Sequence, residues 1–342
     1  MIIILKHTRK FALFLLLKSS FFAYANTTVF YNTEPDHIAV ARSLDLYTSD
    51  LPLLITEPRE TPHTGEAGTD SLQWRSKYGT VMITAFHSNA VSDGINEKGL
   101  AAHLLYLPAT TYPQYTTTNP KISNLMWAKY VLDNFATVNE AIEGTKNLEI
   151  VAKKVQGKTW ATHLTIEDAT GDSALFEFIN GKLNIYHGRQ YQVVTNTPSY
   201  AMQLANLKNY VSFGGKLPIP GDPSAPSRFV RVATFLKTLP KPANLVESIA
   251  GILSVLRTAL VPFGAVTIAN NTTEDAWTTR WVTVADLTRK IYYFNSTTAP
   301  NTLWVDLSKV KFAPGSPILT LNPVSIRLDG EATVKLRPTV DY

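Results

Sequence analysis

Four polar residues beside predicted strands and helices are the main candidates for chemistry in this chain. They are Arg42, Asp45, Asn196 and Arg228. The first two follow an apolar strand, the third ends a later strand and the fourth opens a helix. Guanidinium, carboxylate and carboxamide groups can bind ions and polarised carbonyls, but each residue alone is more typical of a cap, a turn or a solvated charge. A site is therefore predicted only if the fold brings the four together.

The chain lacks the groups on which several common enzyme classes depend. It has no cysteine, which excludes disulfides, thiolate metal sites and a cysteine nucleophile in the sequence as written. Its seven histidines are scattered without metal-ligand spacing, and we expect a structural role for His103 and His163 inside strand-like runs. There is no G-x-S-x-G elbow, P-loop, dinucleotide-binding motif or H-E-x-x-H motif.

The hydrophobic pattern predicts the elements that must position these residues. Strands are predicted at 27–31, 38–42, 71–77, 80–86 and 100–106, with a turn at 93–99, and helices at 124–135 and 138–144. Further strands are predicted at 159–167, 173–179, 182–187 and 192–195, followed by helices at 200–211, 226–239 and 244–260. The last third is predicted as strands at 278–286, 290–295, 303–307 and 324–336. This order favours two packed antiparallel sheets flanked by helices on both sides.

The first 25 residues have the pattern of a cleaved signal peptide. Basic residues precede the apolar run at 11–17, and Ala23 and Ala25 satisfy the small-x-small rule for cleavage. A membrane anchor is the alternative, but Lys18 interrupts the apolar run well short of the ~20 residues that a span needs. The rest of the chain holds 28 of the 32 basic side chains against 27 acidic ones. Such a balance gives no electrostatic reason to expect binding to nucleic acid or to an anionic membrane.

Eight short segments in a fixed order are more specific than any single residue. They are ARSLD at 41–45, SKYG at 76–79, DGINEKGL at 93–100, YVLDNFATV at 130–138, GDSA at 171–174, TNTP at 195–198, SRFVR at 227–231 and TRW at 279–281. From Asn26 to about Phe312, the chain resembles the choloylglycine hydrolase family, which comprises bile salt hydrolases and penicillin V acylases. It is most similar to the penicillin V acylases of Gram-negative bacteria.

The resemblance implies one N-terminal-nucleophile hydrolase domain at residues 26–342, with the αββα sandwich fold. In such enzymes the first residue of the mature chain attacks an amide carbonyl, and its own α-amine serves as the base. Arg42 would lie beside the nucleophile and favour its anionic form, and Asp45 would hold the α-amine. The side chain of Asn196 and the backbone N–H of Tyr106 would bind the oxyanion. Arg228 would complete the polar cluster, and no metal or cofactor is implied.

Asn26 stands where members of the family place cysteine, sixteen positions before Arg42 (42 − 26 = 16). A carboxamide has no ionisable group and is a very poor nucleophile. Three interpretations follow: a silent homologue that binds acyl ligands, a chain in which Thr27 releases Asn26 and becomes the nucleophile, or a substitution or sequence error. Because successive strand residues face opposite sides, we expect the Thr27 hydroxyl to point away from Arg42, Asp45 and Asn196, which favours the first.

The expected ligand is a small acyl amide of the penicillin V, N-acyl homoserine lactone or conjugated bile salt type. Tyr106, where bile salt hydrolases tend to carry asparagine, favours aromatic or fatty acyl groups. The resemblance implies a homotetramer, and the signal peptide predicts a periplasmic or secreted protein without stable membrane insertion. A periplasmic binding module that uses the acyl pocket alone is the alternative from another class.

Overall fold

The structure is a computed structural model that describes residues 25–115, 118–155, 157–265, 277–325 and 327–339. The predicted signal peptide at 1–25 lies outside these residues apart from Ala25, which begins the first strand. Within the described ranges, no helix combines the length and the apolar character that crossing a bilayer requires.

Two large sheets form the centre of the molecule. The first contains β1 (Ala25–Tyr31), β2 (Ala39–Asp45), β16 (Val193–Val194), β17 (Thr279–Asp286), β18 (Ile291–Ser296), β19 (Thr302–Asp306) and β21 (Gly330–Glu331). Its spatial order is β16-β1-β2-β17-β18-β19-β21. The β19–β21 pair is parallel and the other pairs are antiparallel. The strand that carries Asn26 therefore lies inside the sheet, between β16 and β2.

The second sheet and three small strand pairs contain the remaining strands. The sheet contains β3 (Leu53–Glu57), β6 (Thr80–Thr84), β7 (Val91–Asn96), β8 (Ala101–Tyr106), β13 (Thr162–Glu167), β14 (Ser173–Ile179), β15 (Lys182–His187), β20 (Leu319–Leu321) and β22 (Arg337–Pro338). Its order is β15-β14-β13-β8-β7-β6-β3-β20-β22. The small pairs are β4 (Pro62–Thr64) with β5 (Gln73–Arg75), β9 (Lys121–Ser123) with β10 (Glu149–Val151), and β11 (Lys154–Val155) with β12 (Lys158–Thr159).

Helices cover the outer faces of both sheets. They are α1 (Trp127–Asn134), α2 (Val138–Gly144), α3 (Tyr200–Leu207), α4 (Ala225–Thr238) and α5 (Leu245–Arg257). Thr137 precedes α2 and accepts a hydrogen bond from the backbone N–H of Glu140 at 3.2 Å, which satisfies one of the free donors at the start of the helix.

Three apolar clusters hold these layers together. Phe30 and Leu44 of the first sheet pack between the sheets against residues of β6 and β7 such as Val81. Trp127 of α1 packs on the outer face of the second sheet, and Phe229 of α4 on that of the first. Each such side chain contributes about 1.5–3 kcal/mol when fully buried. The predicted four-layer αββα sandwich is confirmed.

Two of the predicted elements are wrong. The predicted turn at 93–99 is strand as far as Asn96, and only residues 97–99 turn. Polar and small residues suggested a turn, but Gly94 is required by close packing, since a Cβ there would lie 2.8 Å from the carbonyl oxygen of Val81. The predicted strand at 324–336 contains just the two-residue β21 and a short 3-10 helix at Thr333–Lys335.

Candidate active site

Asn26 lies in the middle of the molecule, and both its main chain and its side chain are held by neighbouring elements. The residue is 0% exposed and pairs with Leu44 across β1 and β2. Its backbone N–H donates to Asn196 Oδ1 at 2.7 Å. Its side-chain oxygen accepts from the backbone N–H of Tyr106 at 3.3 Å, and its Nδ2 donates to the carbonyl of Ser43 at 3.4 Å. The side chain therefore points between the sheets, towards β8.

Asn196 and Tyr106 lie side by side at this position. Besides accepting from Asn26, Asn196 donates through Nδ2 to the carbonyl oxygen of Tyr106 at 2.7 Å. The two groups that the resemblance assigns to an oxyanion, the Tyr106 N–H and the Asn196 carboxamide, are thus brought together around one residue. Both bind protein atoms here, and the Tyr106 N–H is directed at the side chain of position 26.

Arg228 connects the main chain at position 26 to the outer helices. It lies in the first turn of α4 and is 0% exposed. Its Nη1 donates to the carbonyl oxygen of Asn26 at 2.7 Å and to the Thr27 hydroxyl at 2.6 Å, and its Nη2 donates to Asn196 Oδ1 at 3.0 Å. The predicted polar cluster around Arg228 is therefore formed by residues up to 202 positions apart in the chain.

Asp45 supplies the negative charge of this cluster. One of its oxygens accepts from the Thr279 hydroxyl at 2.6 Å, and the other lies 3.6 Å from Arg228 Nη1. That second oxygen accepts no hydrogen bond within the part of the chain that the structure describes. Burial raises the pKa of Asp45 to about 6, although the Arg228 guanidinium acts in the opposite direction. A cationic partner such as an α-ammonium group would lower the cost of this buried carboxylate.

Arg42 is on the same strand face as Asn26 but binds the second sheet. Its Nη2 donates to the carbonyl of Leu104 at 2.9 Å, its Nη1 donates to the carbonyl of Ser92, and Asp93 lies 3.5 Å away. In the described chain, no hydrogen bond joins Arg42 to the side chain of Asn26. The guanidinium is instead held by the carbonyls of β7 and β8, and Arg42 lies on the same face of the sheet as Asn26, two positions along β2 from its partner Leu44.

The Thr27 hydroxyl occupies a different position from the predicted one. Thr27 does face the opposite side of β1 from Asn26, as the two-residue period of a strand requires. On that side, however, it meets Arg228, and it shares this helix-facing side with Asp45, since Thr27 pairs with Ser43 and Ala25 with Asp45. The expectation that the hydroxyl points away from Asp45 is wrong, because the register of β1 and β2 puts Asp45 opposite Ala25 and so on the same face as Thr27.

Comparison with known proteins places this geometry in a family. The family model described as "Linear amide C-N hydrolases, choloylglycine hydrolase family" matches residues 26–320. The chain belongs to this family. It is 39% identical to a penicillin V acylase of Pectobacterium atrosepticum over 90% of this chain and 88% of that one. It is 28% identical to a bile salt hydrolase/transferase of Clostridium perfringens over 60% of this chain and 69% of that one.

A solved structure shows the same architecture. The penicillin V acylase from Agrobacterium tumefaciens superposes with a TM-score of 0.82 at 39% identity, covering 92% of this chain and 97% of that one. The matched region starts at Asn26, so the member of the choloylglycine hydrolase family described here begins its family domain with the residue at the centre of the polar cluster. The chemistry of the family is hydrolysis of linear amides.

Sequence reasoning missed Thr279, Asp93 and Tyr292 as residues that support the site. Thr279 holds Asp45, and Asp93 and Tyr292 lie beside Arg42 between the sheets. Thr279 lies in one of the segments that carry the family resemblance, which is the one signal that could have identified it. Asp93 lies in another such segment, but its polar character suggested a turn.

A second cluster, outside this site, has the residue types of a metal centre. Ligand atoms of Glu57, His63 and Asp133 lie within 4.8 Å of one another. Lys129 Nζ, however, lies 2.6 Å from each of the two carboxylates. Although burial would raise the pKa of Glu57, the Lys129 ammonium and His63 together outweigh it and lower that pKa to about 2. The lysine thus occupies the place of a cation, and the cluster is an internal ion-pair network.

Proposed function

We propose that this chain carries the acyl-amide site of a penicillin V acylase-like hydrolase and that, with Asn26 in place, it binds small acyl amides without cleaving them. One observation carries the proposal. The side-chain oxygen at position 26 accepts from the Tyr106 N–H, while its backbone N–H donates to Asn196 and its carbonyl accepts from Arg228. The residue at the attacking position is thus an asparagine surrounded by groups suited to an amide carbonyl and an oxyanion.

The surrounding groups support hydrolase chemistry with one part missing. A backbone N–H such as that of Tyr106, which is directed at the side chain of position 26, can stabilise the negative oxygen of a tetrahedral intermediate. One oxygen of the Asp45 carboxylate accepts no hydrogen bond from the described residues, so the carboxylate suits an α-ammonium at residue 26. A nucleophile activated by that amine would complete the mechanism. The Asn26 carboxamide has no lone pair of comparable nucleophilicity, so the attacking step is absent.

The proposed ligands are amides with an aromatic or fatty acyl group. The relatives with 39% identity are penicillin V acylases, and Tyr106 offers an aromatic side chain at the site. N-acyl homoserine lactones and conjugated bile salts are the other members of the proposed class. Isothermal titration with a phenoxyacetyl amide, a long-chain N-acyl homoserine lactone and a conjugated bile salt, each beside a product assay, measures binding and turnover separately.

Asn26→Cys is the decisive test of the catalytic part. We expect this variant to hydrolyse phenoxyacetyl or long-chain acyl amides, while the parent protein and the matched control Asn26→Ala stay at background. The control removes the carboxamide without adding a nucleophile, so any gain in Asn26→Cys reports the thiol. Background activity in Asn26→Cys, with a folded protein and a confirmed N-terminus, would show that the pocket itself has lost its function.

We also propose that residues 1–25 are removed on export, that the mature protein is periplasmic or secreted, and that it assembles as a homotetramer. The support is the charge and size pattern of the first 25 residues and the resemblance to proteins that form tetramers. The intact mass of the exported protein identifies its first residue, and light scattering measures its oligomeric state. Retention of Met1 on the exported protein would contradict the removal of residues 1–25. A monomeric state would contradict the tetramer.

A further inference from the structure

The Arg42 guanidinium is held by a polar group that lies between the two sheets. Asp93, on β7, is 0% exposed, and its Oδ2 lies 3.5 Å from Arg42. Its other oxygen accepts from the Thr283 hydroxyl at 3.2 Å and from the Tyr292 hydroxyl. Asp93, on the second sheet, is therefore an ionic partner of Arg42, and two hydroxyls of the first sheet hold Asp93.

His103 extends this group away from Arg42. Its Nδ1 lies 2.5 Å from Asp93 Oδ2, and its Nε2 lies 3.2 Å from Glu167 Oε2 on β13. Glu167 in turn accepts from the Thr165 hydroxyl at 2.5 Å. The four charged residues thus form a row, Arg42, Asp93, His103 and Glu167, each at most 2% exposed.

The charges in this row alternate when His103 is protonated. Burial alone would lower the pKa of His103, but the Asp93 and Glu167 carboxylates outweigh it and raise that pKa to about 9. Burial would likewise raise the pKa of Asp93, yet His103 and Arg42 hold it below its usual range. Because Asp93 is shared between two cations, it attracts Arg42 less strongly than it would without His103. The guanidinium therefore keeps its hydrogen bonds to the carbonyls of β7 and β8.

This row ends beside the position of the missing nucleophile. Asn26 pairs with Leu44 and Thr28 with Arg42, so Arg42 is the diagonal neighbour of Asn26 on the same face of the sheet. Such diagonal neighbours have β-carbons within about 7–8 Å, a distance over which a buried charge still acts. Arg42 also donates to Leu104, two residues before Tyr106, whose N–H meets the side chain of Asn26.

We propose that Asp93 and His103 are positioning residues of the acyl-amide site: they hold the Arg42 guanidinium where it stabilises an anionic nucleophile at position 26. The inference rests on the proposed function, because it gives Arg42 a role towards a nucleophile that this chain lacks. When His103 loses its charge, Asp93 is no longer shared between two cations and attracts Arg42 more strongly. The guanidinium then moves towards the carboxylate, and its field at position 26 is weakened.

The absence of cysteine elsewhere makes the proposal measurable without substrate. In Asn26→Cys the thiol at position 26 is the single thiol of the chain. Its pKa is read from the ultraviolet absorbance of the thiolate as a function of pH, with the parent protein subtracted at each pH. This measurement needs neither turnover nor access of a reagent to the buried site.

The experiment compares three proteins: Asn26→Cys, the same variant with His103→Gln, and the same variant with His163→Gln. His163, on β13, is a matched control, since it is also buried but its Nδ1 lies 3.6 Å from Glu177 Oε1, beyond hydrogen-bond distance. We expect a thiol pKa below the ordinary value of about 8.5 in the first protein. His103→Gln should raise it by about one unit, a tenfold loss of thiolate, and His163→Gln should leave it unchanged.

Equal thiol pKa values in the His103→Gln and His163→Gln proteins would overturn the proposal, as would an ordinary value in Asn26→Cys itself. Should His103→Gln fail to fold, Glu167→Gln replaces it, since it weakens the carboxylate that keeps His103 charged; a smaller rise in the same direction is then expected, and no rise contradicts the proposal. Hydrolysis by Asn26→Cys reports the proposed function separately, so the two can fail independently.

Discussion

Arg42 and Arg228 are both buried, and they lie on opposite faces of the same pair of strands. Arg228, on the helix side, binds the main chain of Asn26, the Thr27 hydroxyl and the Asn196 side chain directly. Arg42, between the sheets, binds carbonyls of the second sheet and belongs to a row of alternating charges. Position 26 is therefore held by Arg228 through direct contacts and influenced by Arg42 through its charge. Substitutions on the two faces should therefore have different consequences.

The largest expected effect is on the helix side. Arg228→Met should lower the free energy of unfolding by about 3–5 kcal/mol, because Asp45 is left buried without its cationic partner. Arg42→Met should lower it less, because Asp93 keeps His103 and two hydroxyl donors. Urea denaturation of both variants measures this. In an Asp45→Asn background the loss caused by Arg228→Met should shrink, and an undiminished loss would show that the ion pair is not its source.

The two faces should also differ in pH dependence. The folded pKa of Asp45 is about 6, against 3.8 for the free group, so its contribution to stability falls as pH rises from about 4 to 6. The folded pKa of His103 is about 9, against 6.5, so its contribution is complete below pH 6.5 and is lost as pH rises to about 9. Each shift corresponds to about 3 kcal/mol at most.

Denaturation at a series of pH values tests both windows with one variant each. Asp45→Asn should remove the loss of stability in the acidic pH range and leave the loss in the alkaline range unchanged. His103→Gln should do the reverse. Asp50, whose pKa burial also raises to about 6, titrates in the acidic window, so the difference between Asp45→Asn and the parent is the quantity to use. A variant that changes both windows equally would show that the two faces are not independent.

A smaller effect is expected from the Thr27 hydroxyl, which accepts from the same Arg228 nitrogen as the Asn26 carbonyl. Thr27→Val should cost about 1–3 kcal/mol of stability, because a buried guanidinium loses an acceptor, and Thr27→Ser should restore most of it.

We expect the mature mass of the parent to include Asn26 and Thr27→Ala to leave a negligible rate of hydrolysis unchanged. A parent that lacks Asn26, beside a Thr27→Val protein that retains it, would identify Thr27 as a nucleophile that releases Asn26.

The smallest effect concerns the choice of ligand. Tyr106 contacts Asn26 and Asn196 through its backbone N–H and carbonyl, so a change of its side chain leaves those contacts in place. In Asn26→Cys, Tyr106→Asn should reduce the preference for a phenoxyacetyl amide over a conjugated bile salt about fivefold, equivalent to about 1 kcal/mol. Ratios of kcat/KM for the two substrates provide the measurement, and an unchanged ratio would remove Tyr106 from the specificity argument.

The sequence predicted those parts of the fold that follow from local patterns. Apolar and β-branched runs such as those of β1 and β2, together with the apolar faces of the helices, predicted the layers, and the ordered segments predicted the family. Which face of β1 bears the polar cluster could not be predicted, because Arg228 reaches Thr27 from a helix 201 positions away. The row through His103 was missed for the same reason: its members come from four strands in both sheets, and a polar residue in a strand signals no particular partner.

The place of β1 inside the first sheet has a consequence for the synthesis of the protein. The strand with Asn26 is among the first to leave the ribosome, but Asn196, Arg228 and Thr279 follow 170 to 234 residues after the residues they bind. At 5–20 residues per second, roughly 10–40 s separate the first strand from these partners. Contacts of such long sequence separation also form slowly once the chain is complete. The polar cluster is therefore assembled late, and a nascent chain that ends before β17 lacks Thr279, which holds Asp45.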